Sequence, residues 1–370
     1  MRPSWIEIDL DAIETNARVL SEAIAPAKLC AVVKADGYGH GDVPAAEAAL
    51  SGGASWLAVA LVEEGVRLRE AGIEAPILLL SEPADGDSAS IVQWELYPTV
   101  YTPEFADALG EAVGAATGYP VHLKLNTGMH RVGVDPINAF SLARKVAADP
   151  RLSLEGLWTH FAVAEEDVEF TRRQTVSLLR FRETLAAEGI EPVMVHAANT
   201  AGGLLLGDSR FDMVRAGLGI YGLRPGPDVG VHEPLQPAMR VVSQVAFLRT
   251  LPAGERPSYG RRRALGSRSL VATVPIGYAD GVARRLSDTG EVLIRGKRYP
   301  LAGTITMDQI VVDIGDDEVA VGDEVVLLGA QGGESITADE WAAKLGTINY
   351  EIVCGFGPRL PRRYRGSVRG

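Results

Sequence analysis

The chain has 370 residues, of which 46 % are hydrophobic, and it carries a formal net charge of −12. This excess of negative charge argues against a broad surface for nucleic acid or an anionic membrane, either of which needs the opposite field. The first residues, MRPSWIEIDL, contain acids where a signal peptide has its apolar core, and no apolar run reaches the length of a membrane span. Because Cys30 and Cys354 lie far apart, we expect no disulfide framework, and we predict a cytoplasmic protein whose partners are small molecules or a second copy of itself.

Eight short apolar or β-branched runs occupy the first two-thirds of the chain. They cover residues 28–35, 55–61, 76–81, 96–101, 121–127, 154–161, 192–199 and 211–218. Stretches rich in Ala, Leu, Glu and Arg separate them, and this alternation indicates parallel strands joined by helices. Eight such units are what a closed (β/α)8 barrel of the TIM type requires, whereas an open doubly wound sheet is the alternative that periodicity alone leaves.

The pattern changes after GLRPGPDVGVHEPLQP, where proline and glycine replace the helical period. We therefore place a domain boundary near residue 235, with 1–235 as the barrel. The remainder, 236–370, contains apolar runs separated by turn residues, which predict a mostly antiparallel β domain. One short helix is expected there, because Thr337 and Glu340 have capping-box spacing and Gly346 follows as a stop.

Polar residues share one face of the predicted barrel strands. In VHLKLNT, the residues His122, Lys124 and Asn126 alternate with apolar ones. The apolar set must meet the helices, so the polar set points into the barrel, and the same parity turns His160 and His196 inward. Each of these polar residues, taken alone, is more simply explained as an ordinary surface or core residue. Because they share a position near the carboxyl ends of the strands, however, they mark the barrel face that carries active sites. Five residues lie near such ends: Lys34, Asn126, His160, Asn199 and Arg215.

Glycine-rich segments follow the seventh and eighth predicted strands. Gly217, Gly219 and Gly222 have GxGxxG spacing, but they lead into LRPGP instead of opening a helix in a first βαβ unit, so we predict no dinucleotide site. After strand eight these glycines would let backbone N–H groups approach a phosphate, and HAANTAGG suits the same use. An inward lysine beside a phosphate cradle predicts pyridoxal phosphate, with Lys34 forming the Schiff base.

Nine blocks of the sequence resemble, in order, those of the alanine racemase family. They span residues 31 to 362 and read AVVKADGYGHG, KLNTGMHRVG, WTHFA, HAANTAG, VRAGLGIYG, SYG, IGYADG, TMDQ and NYEIVCGFGPRLPR. The resemblance implies an amino-terminal barrel, a carboxy-terminal β domain and pyridoxal 5′-phosphate as cofactor. It also implies interconversion of L- and D-alanine, which supplies D-alanine for peptidoglycan.

The resemblance assigns the main catalytic roles. Lys34 would hold the cofactor and carry a proton on one face of the substrate Cα, while Tyr259 would serve the opposite face. A chain through His160 to Arg215 would stabilise the tyrosine, and Arg215 would face the pyridine nitrogen. Arg131 would contact the cofactor's phenolic oxygen and the substrate carboxylate.

Other matched positions concern the remaining ligand contacts and assembly. The further cofactor-binding residues would be Tyr38, Asn199, Thr200, Gly217, Leu218 and Tyr350. Met307 and Asp308 belong to the substrate side, and Lys124 matches the position that is carbamylated in many family members. The family forms head-to-tail homodimers, so Tyr259 and Met307 would serve Lys34 of the partner subunit.

Two positions depart from the family pattern and leave substrate breadth open. His130 stands where a glycine is usual, and Thr306 stands where many members carry a cysteine or another small residue. Other enzymes of the same fold are alternatives: a broad-specificity amino-acid racemase, a decarboxylase or a D-threonine aldolase. The aldolase needs a metal, but the six histidines show no paired spacing and we predict no metal site. A non-catalytic carrier of the cofactor would leave 236–370 unexplained.

Overall fold

The structure is a computed structural model that describes residues 2–83, 86–226, 229–232 and 234–366. Its described residues form two compact units. The β unit contains 2–10, 38–40 and 237–366, and the barrel unit contains 11–37 and 41–236. The predicted division into 1–235 and 236–370 stays a prediction. The first strand, β1 (Ser4–Asp9), lies in the β unit, and no strand was predicted there.

Eight parallel strands form the sheet of the barrel unit, as predicted. They are β2 (Lys28–Val32), β3 (Trp56–Val59), β4 (Ile77–Leu79), β5 (Thr99–Val100), β6 (Tyr119–Lys124), β7 (Leu152–Trp158), β8 (Met194–Asn199) and β9 (Met213–Ala216). Their order is β4-β3-β2-β9-β8-β7-β6-β5. A parallel bridge joins Leu78 in β4 to Tyr97 before β5, and the Leu79 N–H donates to the Tyr97 carbonyl at 2.8 Å. This bridge nearly closes the barrel, which excludes the open doubly wound sheet.

Helix α1 precedes the first barrel strand, and the other helices of the barrel unit follow its strands. The right-handed helices are α1 (Leu10–Ile24), α3 (Asp42–Ser51), α4 (Val62–Glu70), α5 (Ser88–Gln93), α6 (Pro103–Val113), α7 (Pro136–Ala148), α8 (Val168–Ala187) and α9 (Thr200–Leu205). The segment α2 (Lys34–Tyr38) is a left-handed turn. Short 3₁₀ helices occur at Gly207–Ser209 and Leu218–Tyr221. The longest helix, α8, begins at a cap in which Asp167 accepts the Phe170 N–H, and it buries Leu178, Phe181 and Leu185.

The β unit contains a seven-stranded and a three-stranded sheet. The strands after β9 are β10 (Met239–Gln244), β11 (Phe247–Leu251), β12 (Ser269–Val274), β13 (Glu291–Ile294), β14 (Lys297–Pro300), β15 (Ile310–Gly315), β16 (Glu324–Gln331), β17 (Glu334–Ile336) and β18 (Arg362–Arg365). The larger sheet has the order β14-β13-β16-β10-β1-β18, with β17 also pairing with β16, and the smaller has the order β11-β12-β15. The pairs are antiparallel except β1 with β18, which confirms a mostly antiparallel domain.

The predicted helix of the β unit is α10 (Ala338–Leu345). Its cap forms as the spacing indicates, because Thr337 Oγ1 accepts the Glu340 N–H at 3.1 Å and Gly346 ends the helix at φ +68°. A second short helix, α11 (Asn349–Cys354), was not predicted. The 3₁₀ helices of this unit are Tyr259–Arg261, Tyr278–Asp280 and Arg284–Asp288. No helix in the described part of the chain has the length and apolar character that crossing a membrane requires.

The barrel interior contains the polar residues that strand alternation turned inward. His122 and His196 are fully buried, and Lys124 is only 4 % exposed. Gly156 on β7 lies beside His122 on β6, and a Cβ atom at Gly156 would lie 2.0 Å from His122 Nδ1. A glycine is therefore required at this position to make room for a buried imidazole.

Candidate active site

The segment that follows β2 carries Lys34 into a left-handed turn. The φ angle lies between +53° and +58° at each of residues 35–38, where only Gly37 adopts such angles without steric cost. A left-handed conformation costs other residues about 1–2 kcal/mol each. The Gly37 N–H donates to the Val33 carbonyl at 2.9 Å, which closes the turn. Strain of this kind persists where the surroundings hold it, and it is common at functional sites.

Arg215 on β9 is the buried centre of the barrel's polar interior. Its Nη1 donates to His196 Nδ1 at 2.6 Å. Its Nη2 is shared between the carbonyl oxygens of Thr159 at 2.9 Å and Ala197 at 2.8 Å, and it also approaches His160 Nδ1 at 3.2 Å. The guanidinium carbon lies 4.5 Å from the centroid of the Trp158 ring. These contacts fix the orientation of a cation that is 3 % exposed.

Arg215 also determines which histidine nitrogens carry protons. An arginine only donates hydrogen bonds, so Nδ1 of His196 and Nδ1 of His160 must both accept, which leaves the proton of each neutral ring on Nε2. His196 Nε2 then donates to His122 Nδ1 at 3.0 Å. Burial, followed by the charge of Arg215, lowers the pKa of His122 to about 3 and the pKa values of His160 and His196 well below their usual range.

Lys124, the last residue of β6, is affected by three other positive charges of the barrel unit. Lys124 Nζ donates to the Leu80 carbonyl at 3.2 Å and lies 4.0 Å from the Trp158 ring centroid. Burial and, after it, the charges of Arg215, Arg131 and Lys34 together lower the pKa of Lys124 to about 7. The same three charges, with Lys124, also lower the pKa of His160. Such a group of positive charges is suited to an anionic ligand.

The predicted phosphate side lies at the ends of the neighbouring strands β8 and β9. Asn199 Oδ1 accepts the Gly202 N–H at 2.9 Å and so caps α9, and Thr200 beside it is buried. Gly217 and Leu218 follow β9 and are also buried. These four residues of the cofactor prediction lie at the ends of two adjacent strands of the barrel unit.

The other predicted site residues lie in the β unit. Tyr259 is 74 % exposed, and Met307 and Asp308 are exposed as well. The Asp308 carboxylate accepts a hydrogen bond from Arg359 at 2.6 Å. Tyr38 and Tyr350 form a ring pair with centroids 6.3 Å apart, and burial raises the pKa of Tyr38. Five residues of the predicted site thus belong to the β unit: Tyr38, Tyr259, Met307, Asp308 and Tyr350.

Asn126 and the two departures from the family pattern make contacts within their own loops. Asn126 Oδ1 accepts the N–H groups of Gly128 at 3.2 Å and His130 at 3.1 Å. His130 is exposed and has a φ of +54°, so it occupies a conformation that favours glycine. Thr306 Oγ1 donates to the Gln309 carbonyl at 2.8 Å. Asn126 is thus a loop-stabilising residue in this structure.

Sequence patterns missed two residues of the site. Trp158, at the end of β7, presents its ring to both Lys124 and Arg215. Glu64 in the first turn of α4 is buried, and its carboxylate accepts the Ala35 N–H at 2.6 Å, next to Lys34. Trp158 stands in the WTHFA block, which could have indicated it, whereas Glu64 belongs to no such block.

Comparison with known proteins gives one consistent result. Residues 8–225 match the family described as "Alanine racemase, N-terminal domain", and residues 238–364 match "Alanine racemase, C-terminal domain". The chain is 45 % identical over 371 residues to an alanine racemase of Symbiobacterium thermophilum, with 100 % of this chain and 98 % of that protein covered. It is 43 % identical over 366 residues to one of Synechocystis, with 97 % and 98 % covered.

Solved structures agree with these relatives. A crystal structure of alanine racemase from Streptomyces lavendulae matches with a TM-score of 0.93 and 38 % identity, covering 99 % of this chain and 98 % of that one. The alanine racemase of Bacillus anthracis, with bound L-Ala-P, matches with a TM-score of 0.92 and 36 % identity, covering 100 % and 96 %.

The buried histidines predict a pH dependence of stability. The pKa of His122 is about 3 when folded, whereas an unfolded histidine titrates near 6.5, so the unfolded chain binds more protons between these values. Stability from this group is present above pH 6.5 and is lost as the pH falls, by about 1.4 kcal/mol per pH unit. Chemical unfolding between pH 4 and 6 should therefore show a smaller slope of unfolding free energy for His122→Gln than for wild type.

The exposed His232 supplies the matched control. His232→Gln should keep the wild-type slope. Equal slopes for the wild type and His122→Gln would show that His122 is not held neutral in the folded protein.

Proposed function

Because the chain belongs to the alanine racemase family, we propose that it interconverts L- and D-alanine on pyridoxal 5′-phosphate by proton transfer at two opposed side chains. The enzyme is an isomerase of that family. The observation that carries the proposal is the contact of Arg215 with His160, together with the charges of Lys34, Lys124 and Arg131 that also act on this histidine. The L-Ala-P bound by the B. anthracis protein supports an alanine-like substrate.

The residues present fit the cofactor and the substrate. A phosphate, a phenolic oxygen and a carboxylate are anions, and the site offers the guanidinium groups of Arg131 and Arg215 together with the buried residues Gly217 and Leu218, whose N–H groups would suit a phosphate. Lys34 would bind the cofactor covalently, and Tyr38, Asn199, Thr200, Gly217, Leu218 and Tyr350 would contact its remainder. The bound cofactor supplies an electron-withdrawing ring that makes the substrate Cα–H acidic.

The chain's own residues then move and direct the proton. Lys34 Nζ takes or gives the proton on one face of Cα, and the Tyr259 hydroxyl acts on the other face. A tyrosine has a usual pKa near 10, so its anion needs a donor, and His160 Nε2–H, oriented by Arg215, would supply it. Arg131 would hold the substrate carboxylate, with Met307 and Asp308 on the same side.

Arg215 has a second role in this proposal. Burial lowers the pKa of Arg215 to about 10, which still leaves the guanidinium charged near neutral pH. Facing the pyridine nitrogen, Arg215 would donate to it without giving up a proton. Restrained electron withdrawal would then favour return of the proton to Cα, and so limit transamination.

Lys124 is proposed as a carbamylation site. Its pKa of about 7 leaves much of the amine neutral at physiological pH. The nitrogen would attack carbon dioxide, form the N–C bond and release a proton, and the new carboxylate would orient Arg131. Carbon NMR in ¹³C-bicarbonate should show a carbamate signal that Lys124→Gln lacks, and an unchanged signal would contradict the assignment.

We also propose a cytoplasmic role in supplying D-alanine for peptidoglycan. Expression should let a bacterium that requires D-alanine grow without it. Growth that still depends on added D-alanine, despite soluble active enzyme, would contradict this role.

Incubation with L-alanine in heavy water tests the reaction. NMR should detect D-alanine and deuterium at Cα, because the proton returned to Cα equilibrates with solvent. Lys34→Ala should lower the rate by about 100-fold or more, the usual effect of removing an acid–base group. Lys28→Ala, which changes an exposed lysine at the start of the strand that precedes Lys34, is the control and should keep the wild-type rate.

The same assay, repeated with a β-hydroxy amino acid and with larger amino acids, separates the alternatives. Loss of the carboxylate would indicate a decarboxylase, and cleavage of a β-hydroxy amino acid without alanine exchange would indicate an aldolase. Cofactor binding without exchange in any amino acid would indicate a carrier, and equal rates with larger amino acids would indicate a broad-specificity racemase. Each of these four results contradicts the proposal of a dedicated alanine racemase.

The proposed homodimer places Tyr259 and Met307 at the active site of the other chain. Lys34→Ala chains and Tyr259→Phe chains should each be nearly inactive alone. When they are unfolded and refolded together in equal amounts, half of the dimers are mixed, and each mixed dimer contains one native site. The mixture should thus recover up to about a quarter of wild-type activity. If activity stays at the level of the separate variants, Tyr259 acts in its own chain.

A further inference from the structure

One buried carboxylate connects the loops that follow two neighbouring barrel strands. Glu64 lies in the first turn of α4 and is 6 % exposed. Its Oε1 accepts the Ala35 N–H at 2.6 Å, in the loop after β2. Its Oε2 accepts the N–H groups of Ala60 at 2.8 Å and Leu61 at 3.1 Å, in the loop after β3. Both carboxylate oxygens are therefore in use.

The bond to Ala35 acts directly on the backbone of Lys34. The Ala35 nitrogen belongs to the peptide group that leaves Lys34, so holding this N–H orients the peptide plane next to the Lys34 Cα. The turn that begins here has positive φ angles at residues 35–38, which ordinary side chains disfavour. Such a conformation persists only when its surroundings hold it. Glu64, which belongs to a separate helix, stabilises the turn by accepting the hydrogen bond from Ala35.

A second contact of α4 supports the same turn. Arg67, one turn further along the helix, donates to the Asp42 carboxylate at 2.7 Å and 3.0 Å. The Asp42 N–H in turn donates to Asp36 Oδ1 at 3.3 Å. Helix α4 thus contacts the left-handed turn directly through Glu64, and indirectly through Arg67 and Asp42.

We propose that Glu64 is a positioning residue that holds the left-handed turn after β2 and thereby aims the Lys34 side chain at the reacting centre. The role of Glu64 in aiming Lys34 rests on the proposed function. The hydrogen bonds by which Glu64 holds the turn belong to the chain itself and do not depend on that function. A carboxylate is needed because three N–H groups converge on it. An amide at this position keeps its oxygen on the two donors Ala60 and Leu61 and turns its NH₂ group toward the Ala35 N–H, so Glu64→Gln loses the bond to Ala35.

Amide hydrogen exchange of the apoprotein tests the hold without substrate or cofactor. In Glu64→Gln, the peptide that covers residues 33–41 should exchange about tenfold faster than in wild type, because it loses a hydrogen bond to a charged group. Peptides from β6 and β7 should keep their wild-type rates. Glu64→Asp keeps the charge but is one methylene shorter, and it should give an intermediate rate. It replaces the glutamine variant if that variant does not fold.

Glu82 provides a matched control elsewhere in the barrel. Glu82 follows strand β4. Its carboxylate accepts hydrogen bonds from the N–H groups of Tyr101 and Thr102 and from the hydroxyl group of Thr102. Glu82→Gln should speed exchange around residues 99–105 and leave 33–41 unchanged. If Glu64→Gln leaves the exchange of 33–41 at the wild-type rate, or if Glu82→Gln changes it equally, the proposal is overturned.

Steady-state kinetics of the loaded enzyme test the aim of Lys34. Glu64→Gln should lower kcat by about 10-fold to 100-fold, the scale of a small misplacement of a catalytic group, and leave KM within about threefold. Glu82→Gln should leave both constants near wild type. Faster exchange at 33–41 with unchanged kcat would refute the positioning role. Absence of racemisation in the wild type would refute the proposed function, and the exchange result would still decide whether Glu64 holds the turn.

Discussion

The burial of one guanidinium inside the barrel is the constraint on which the rest of the site depends. A buried charge is costly unless hydrogen bonds satisfy it, and Arg215 finds two carbonyl oxygens and two imidazole nitrogens. Those imidazoles must be neutral, because a protonated ring has no free acceptor and would add a second positive charge. One cation on β9 thus sets the protonation of His160 and His196, and through His196 that of His122.

The positive charge of Arg215 also influences which ligands can bind at the carboxyl ends of the barrel strands. The ring of Trp158 interacts with both Lys124 and Arg215, and the Lys124 amine is partly neutral because burial and neighbouring charges lower its pKa. An anionic ligand would relieve the repulsion among these groups. The left-handed turn adds the second condition for chemistry, since it presents Lys34 from a strained backbone that Glu64 holds. Electrostatics and backbone geometry are therefore supplied by different elements.

Much of this arrangement could be predicted from the sequence. Strand alternation correctly predicted that His122, Lys124 and His196 point inward. Side chains alternate between the two faces of a strand, so the residues opposite the apolar face must line the interior. The sequence could not reveal the left-handed turn, because three of the four residues in the turn are not glycine and tertiary contacts hold them in this conformation. Nor could it place β1, whose residue Ser4 pairs with Ser243 far along the chain. Local patterns identify elements, while distant partners and strained turns depend on the folded whole.

The nitrogen-15 spectrum of the histidine rings tests most directly whether Arg215 sets the polar interior. Long-range proton–nitrogen correlations distinguish the two neutral tautomers from the charged ring. The account predicts that His122, His160 and His196 are each neutral and protonated at Nε2, between pH 6 and 8, with assignments from single histidine substitutions. A charged ring at His196, or a proton on its Nδ1, is incompatible with donation from Arg215 and would contradict the account.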